Sequence, residues 1–130
     1  MSIFKPISEK QAKGKVKRIF NEIKNARKIK KIPNFWRSIA HNPETLERTW
    51  NNLKLIMKNG ALNSVTKELI YIAVSITNSC EYCIKSHTYA AKKKGASDQM
   101  LKEMIDVVGI ANQNNKLVEA YQVEVDRIYK

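Results

Sequence analysis

The chain has 130 residues, a mass of 15.0 kDa and a formal charge of +12, with 24 Lys and Arg against 12 Asp and Glu. One domain (1–130) is the expectation at this length, and 43% hydrophobic residues are enough for a real core. A charged fraction of 28% with only 4 Gly and 3 Pro excludes a disordered or fibrous chain, and the longest apolar stretch, near Leu69–Val74, is far short of the roughly 20 residues of a membrane-spanning helix.

Two cysteines cannot build a disulfide scaffold, and the opening MSIFKPISEK has no apolar run of the secretory kind. The expectation is a cytoplasmic protein with no membrane partner. The charge is uneven: residues 1–60 hold 15 basic and 4 acidic residues, and between Lys10 and Lys31 ten bases stand against Glu22 alone. Such a face attracts polyanions. Lys outnumbers Arg 19 to 5, however, and the basic stretch holds one aromatic, Phe20. Nucleic-acid readers lean on Arg for base edges and on aromatics for stacking. A solvated helix face is therefore expected rather than a nucleic-acid partner.

A basic helix is expected over about 8–31, opened by a Ser8/Gln11 capping box and carrying Ala12, Val16, Ile19, Phe20 and Ile23 at helical spacing. Gly14 weakens it early, and Pro33 ends it. A short helix over 34–41 places Phe35, Trp36 and Ile39 in the core, with His41 as a structural residue at its end. Asn42-Pro43 restarts the chain as cap and first helical residue, followed by Leu46, Trp50, Leu53, Ile56 and Met57, with Gly60 as the stop. Trp36, Trp50 and Phe35 read as core or subunit-interface residues.

Ser64 or Thr66 caps the next helix, whose stretch from Leu69 to Ile76 is apolar on nearly every side except Ser75, so a buried central helix is expected. Asn78-Ser79 interrupts it. A further helix runs from about Cys80 to Lys94 with Gly95 as its stop, and Ser97-Asp98 caps another carrying Leu101, Met104, Ile105 and Val108. Asn112–Asn115 reads as a polar loop before a last helix with Leu117, Val118, Tyr121, Val125 and Ile128. No strand-like alternation stands out, so the fold class is all-α with six or seven helices.

The chemistry concentrates between Glu68 and His87, in a core spanning about 60–112. Cys80, Cys83 and His87 are spaced i, i+3 and i+7, which places them on one helix face. Cys80 opens its helix, where unpaired N–H groups and the dipole favour a thiolate. Glu68 is twelve residues earlier, about 18 Å along a continuous helix. A fold-back at Asn78-Ser79 brings it level with His87. It is the one acid in a strongly apolar helix, so a partner is required, and His87 is the natural one. A Glu–His–thiol chain can take a proton from a cysteine. Two buried structural cysteines or a zinc site from Cys80, Cys83, His87 and Glu68 are the alternatives. Structural zinc usually draws on two separated ligand pairs, and only one Cys pair is present. A thioredoxin-like site would follow a strand, and none is expected.

The run NGALNSVTKELIYIAVSITNSCEYCIKSH, from Asn59 to His87, resembles the alkylhydroperoxidase D-like branch of the carboxymuconolactone decarboxylase family. Glu68, Cys80, Cys83 and His87 match that branch position by position. Ala90, Ala91, Gly95 and Ala96 also fit, and so does the upstream Asn42-Pro43. The resemblance implies an all-α fold, assembly into trimers or hexamers, and thiol-dependent reduction of hydroperoxides with no cofactor or metal. It implies Cys83 as the attacking thiol, Cys80 as the resolving thiol, and Glu68 and His87 as the proton relay. A dithiol protein, thioredoxin-like or lipoyl-type, would reset the pair. Tyr82 stands where some members carry a relay His; with an ordinary pKa near 10 it is a poor base, and it is kept as a candidate auxiliary residue. A redox-sensing or binding module without fast turnover is the alternative from a different class. Lactone decarboxylation is the lesser inheritance, because that branch generally lacks the Cys pair.

Overall fold

The computed structural model describes residues 2–130. Among them every regular element is helical: α1 (Gly14–Arg27), α2 (Asn34–Ile39), α3 (Pro43–Met57), α4 (Ser64–Thr77), α5 (Glu81–Lys93), α6 (Asp98–Ala120) and a 3-10 turn, Arg127–Tyr129. The fold class is all-α. Contacts divide the chain into two compact units, one ending at Met57 and one running from Lys58 to Lys130. No helix of the described residues is long and apolar enough to cross a membrane.

The first unit holds α1, α2 and α3 around an aromatic core. Val16, Ile19, Phe20 and Ile23 form the buried stripe of α1, and Trp36, Leu46 and Trp50 complete the core. The two indoles meet edge to face at 5.4 Å and 88°. Both tryptophans are thus core residues rather than interface residues. Much of the basic face is structural: Lys15 reaches Glu44 and Glu47, Arg18 reaches Glu22 and Glu47, and Lys24 reaches Glu9. His41 closes onto the Lys5 carbonyl at 2.6 Å.

The first helix is shorter than the 8–31 expected. The Ser8/Gln11 box does form, with Ser8 N–H donating to Gln11 Oε1 at 2.9 Å and Gln11 N–H to Ser8 Oγ at 3.2 Å. It closes only a turn, because Lys13 is extended and Gly14 sits at φ +51°, a conformation that breaks helical continuity. The helix ends at Arg27, before Pro33, where Lys28 turns left-handed at φ 54°.

The second unit holds α4, α5 and α6 around Ile72, Ala91, Ala96 and Leu101, with Val65, Leu69, Ile76 and Met104 packed against them. Asn63 caps α4, accepting from Thr66 N–H at 2.8 Å, and Asn59 accepts from Ser64 N–H at 2.7 Å. Neither Ser64 nor Thr66 is the cap. The expected burial of α4 on all sides is also corrected: Ile72 is buried, but Ile70 and Val74 on the far side are 47% and 54% exposed. Asn112–Asn115 is not a loop. The helix runs through it, with Asn112 Nδ2 bonding the Val108 carbonyl at 2.8 Å within α6 and Thr77 Oγ1 at 3.1 Å on α4. No separate last helix follows; α6 ends at Ala120 and only the 3-10 turn remains.

Candidate active site

The turn between α4 and α5 sets the site. Ser79 is left-handed at φ 56°, its N–H donates to the Ile76 carbonyl at 3.1 Å, and Cys80 N–H donates to the Ser75 carbonyl at 2.9 Å. This is the Schellman closure that often ends helices, here made with Ser instead of Gly. It reverses the chain within three residues and lays α5 antiparallel against α4. Glu68, Tyr71 and Ser75 then share one face of α4, and Cys80, Cys83, His87 and Lys94 one face along α5.

The fold-back brings Glu68 and His87 together, as the antiparallel register requires: His87 Nδ1 lies 2.7 Å from Glu68 Oε2. Glu68 is 3% exposed. Its second oxygen accepts from Lys94 Nζ at 2.7 Å, so both carboxylate oxygens have charge-bearing or polar partners. Burial pushes the carboxyl up, but the hydrogen bonds and charges of His87 and Lys94 outweigh it and hold the carboxyl below its usual value. An ionised Glu68 must accept, which fixes the proton of neutral His87 on Nδ1 and leaves Nε2 as its lone-pair nitrogen.

The Tyr71 ring stacks on the His87 imidazole with centroids 3.6 Å apart and 19° between planes, and its phenol opposes the burial that raises Cys83. Burial, followed by the neighbouring Cys83 and Cys80 sulfurs, pushes the Tyr71 phenol up. Ser75 also faces Cys83. Its Oγ donates to the Tyr71 carbonyl at 2.8 Å.

The two cysteines are free thiols, both half-buried, three residues apart at the start of α5. Their environments differ. Cys80 caps the start of α5 without closing a regular side-chain cap bond. Its sulfur faces the Cys83 thiol and then the Cys83 backbone N–H, and both hold its pKa down. Cys83 is pushed up, first by burial and then by the Cys80 sulfur, with Tyr71 and Ser75 opposing. The lowered Cys80 agrees with the thiolate that the sequence places at this helix start, whereas Cys83, one turn before His87, is the thiol raised by burial.

Tyr82 lies on α5, 44% exposed. Among the described residues no group of three or more His, Cys, Asp or Glu side chains is placed to hold a metal ion. Tyr71 and Lys94 were not singled out by the sequence, and Ser75 only as a polar break in an apolar run. The signal was periodicity: Tyr71 and Ser75 fall three and seven residues after Glu68, and Lys94 seven after His87.

The sequence profile of the carboxymuconolactone decarboxylase family matches residues 43–124, more than half of the chain and all of the residues above. The chain belongs to this family. A crystal structure described as an alkylhydroperoxidase AhpD core from Rhodospirillum rubrum ATCC 11170 superposes with a TM-score of 0.93 at 39% identity, covering 99% of this chain and 97% of that one. Uncharacterized protein 4 in cox locus of Paracoccus denitrificans is 36% identical over 52 residues, 40% of this chain and 47% of that protein. Uncharacterized protein YdfG of Bacillus subtilis (strain 168) is 43% identical over 44 residues, 34% of this chain and 30% of its own length. The matched segments thus span less than half of each of these two relatives. Within the family, the chain is similar in fold to an alkylhydroperoxidase core over almost its whole length.

Proposed function

We propose that this family member is a cytoplasmic thiol-dependent oxidoreductase that reduces hydroperoxides. The observation that carries the reading is the adjacent thiol pair at the start of α5 beside a buried, hydrogen-bonded Glu68–His87 pair. In the reaction the Cys83 thiolate sulfur attacks the peroxide O–O bond. An S–O bond forms, the O–O bond breaks, and the alkoxide leaves as the alcohol after taking a proton. Glu68 and His87 supply and store that proton. The Cys80 thiolate then attacks the Cys83 sulfenic sulfur, an S–S bond forms, and water leaves. An external dithiol returns the disulfide to two thiols and is itself oxidised.

The two environments suit two roles. Cys83 is the more buried thiol, one helical turn before His87, whereas Cys80 is the lower-pKa thiol suited to exchange with the reductant. Exposed apolar side chains on α4 (Ile70, Val74) and α6 (Ile105, Val107, Ile110) support assembly with further copies of the chain, as a trimer or hexamer.

Peroxide consumption measured with thioredoxin-like and lipoyl-type dithiol reductants tests the reading. Turnover by the unmodified protein that is lost in Cys83→Ser is the expected result. A protein whose thiols stay reduced under stoichiometric hydroperoxide is not an enzyme of this class.

A further inference from the structure

Three successive lysines close α5, and each has a different partner. Lys92 pairs with the exposed Asp98 at 3.1 Å. Lys93 Nζ lies over the Tyr89 ring, 5.3 Å from its centroid. Lys94 turns to the site: its Nζ donates to Glu68 Oε1 at 2.7 Å, and the carboxylate it reaches is 3% exposed. The backbone fixes where that side chain starts. Lys94 N–H donates to the Ala90 and Ala91 carbonyls, Gly95 takes φ +104°, and Ala96 N–H closes on the Ala91 carbonyl at 2.9 Å. The helix stop and the ion pair are therefore built together. The hydrogen bond from neutral His87 satisfies one oxygen of Glu68 but brings no charge. Lys94 brings a full positive charge to the other oxygen, which a buried carboxylate requires.

We propose that Lys94 is a positioning residue of the site: its ammonium holds Glu68 Oε1, so that Glu68 stays a carboxylate facing a neutral His87 whose Nε2 can take a proton. The role rests on the Glu68–His87 pair being the proton-handling group of the reduction proposed above. With Oε1 held by Lys94, Oε2 is left to face His87 Nδ1 at 2.7 Å. Without the ammonium, the buried charge is compensated by a proton, on His87 or on Glu68 itself. The pair then holds that proton through more of the neutral range and cannot accept another. The surroundings leave this task to Lys94. On α4, Tyr71 covers the imidazole with its ring, and Lys67 turns to the Lys58 carbonyl at 2.7 Å. Cys80 and Cys83 lie toward the other end of α5, and α6 adds Leu101 and Met104 to the adjoining core.

The test is the titration of the pair, followed through the NMR shifts of the His87 ring in the unmodified protein, Lys94→Met, Lys94→Gln and Lys94→Arg. Removing the cation favours the protonated pair, so the midpoint should rise by about one pH unit in both neutral variants. That is a roughly ten-fold gain in proton affinity, the low end for a charge at this range, because the Lys94 side chain is 35% exposed. Lys94→Arg keeps the charge and should titrate like the unmodified protein. In Glu68→Gln, adding Lys94→Met should move the ring far less. Coincident titrations of Lys94→Met, Lys94→Gln and the unmodified protein overturn the proposal. So does an equal shift in Lys94→Arg, which marks packing, or an equal shift in the Glu68→Gln background, which marks an effect that bypasses Glu68. The titration uses no peroxide. In a protein that turns over hydroperoxide, the acid limb of the pH–rate profile should move with the titration, and an unmoved limb overturns the positioning role. Inertness toward hydroperoxides would defeat the peroxidase reading while leaving the moved titration as the mark of the Lys94 contact.

Discussion

The two units of the chain spend their sequences differently. The first buries large apolar groups, among them Phe20, Trp36 and Trp50, and keeps its charges in surface pairs. The second has a smaller core built on Ile72, Ala91, Ala96 and Leu101, yet it buries Glu68 and Ser75 and leaves Ile70, Val74, Ile105 and Val107 exposed. Buried polar groups and exposed apolar ones both cost stability in an isolated fold. Both features are concentrated in the unit that carries the Glu68–His87 pair and the two thiols.

The largest expected effect tests the packing side. Trp36→Ala removes a fully buried indole from the first core and should cost about 3–5 kcal/mol in denaturant unfolding. A loss near zero would mean that the aromatic core is not what stabilises that unit. On the chemical side, Glu68→Gln keeps the side-chain shape but removes the charge that orients His87 and pairs with Lys94. Peroxide turnover should fall by about 10²-fold, the low end for a general acid–base group, with far less effect on the unfolding midpoint than Trp36→Ala. Equal activity would make Glu68 a structural residue.

Acid titration sharpens the same contrast. Burial raises the Glu68 carboxyl, but His87 and Lys94 bring its folded pKa below the usual range, whereas in the unfolded chain it lies near the usual value, about 4.3. A depressed folded pKa gives stability that is present above about pH 4.3 and is lost as pH falls from there through the lower folded value. The unmodified protein should lose this increment in that window, and Glu68→Gln should lack it when unfolding midpoints are followed against pH. Assembly comes next: Val74→Glu with Ile110→Glu, both at exposed positions, should reduce the light-scattering mass toward 15.0 kDa without changing thiol reactivity per chain. The smallest effect is expected from Lys15→Ala, which removes exposed pairs with Glu44 and Glu47 and should leave the unfolding midpoint nearly unmoved.

Much of this was legible in the sequence, and the misses have physical causes. The all-helical class followed from 3.6-residue periodicity, and the Glu68–His87 pair followed from one acid in an apolar helix, a break at Asn78-Ser79 and equal register on either side. The start of α1 was missed because the Ser8/Gln11 box is locally satisfied by a turn, and only the positive φ of Gly14 shows that the helix begins later. The polar run Asn112–Asn115 read as a loop, but Asn112 bonds back to a carbonyl one turn earlier and across to Thr77, which keeps the helix intact. Burial of α4 was overstated because apolar composition does not say which side has a neighbour. Tyr71 escaped notice because a tyrosine in an apolar helix reads as packing, and its stacking on His87 depends on the fold-back between α4 and α5.

The measurement closest to the central claim is the intact mass and thiol count of the protein after one equivalent of hydroperoxide, with Cys80→Ser alongside. The account predicts that the unmodified chain loses two thiols and forms a Cys80–Cys83 disulfide, while Cys80→Ser gains one oxygen at Cys83. A chain that keeps both thiols, or a Cys80→Ser protein whose Cys83 remains unoxidised, would contradict it.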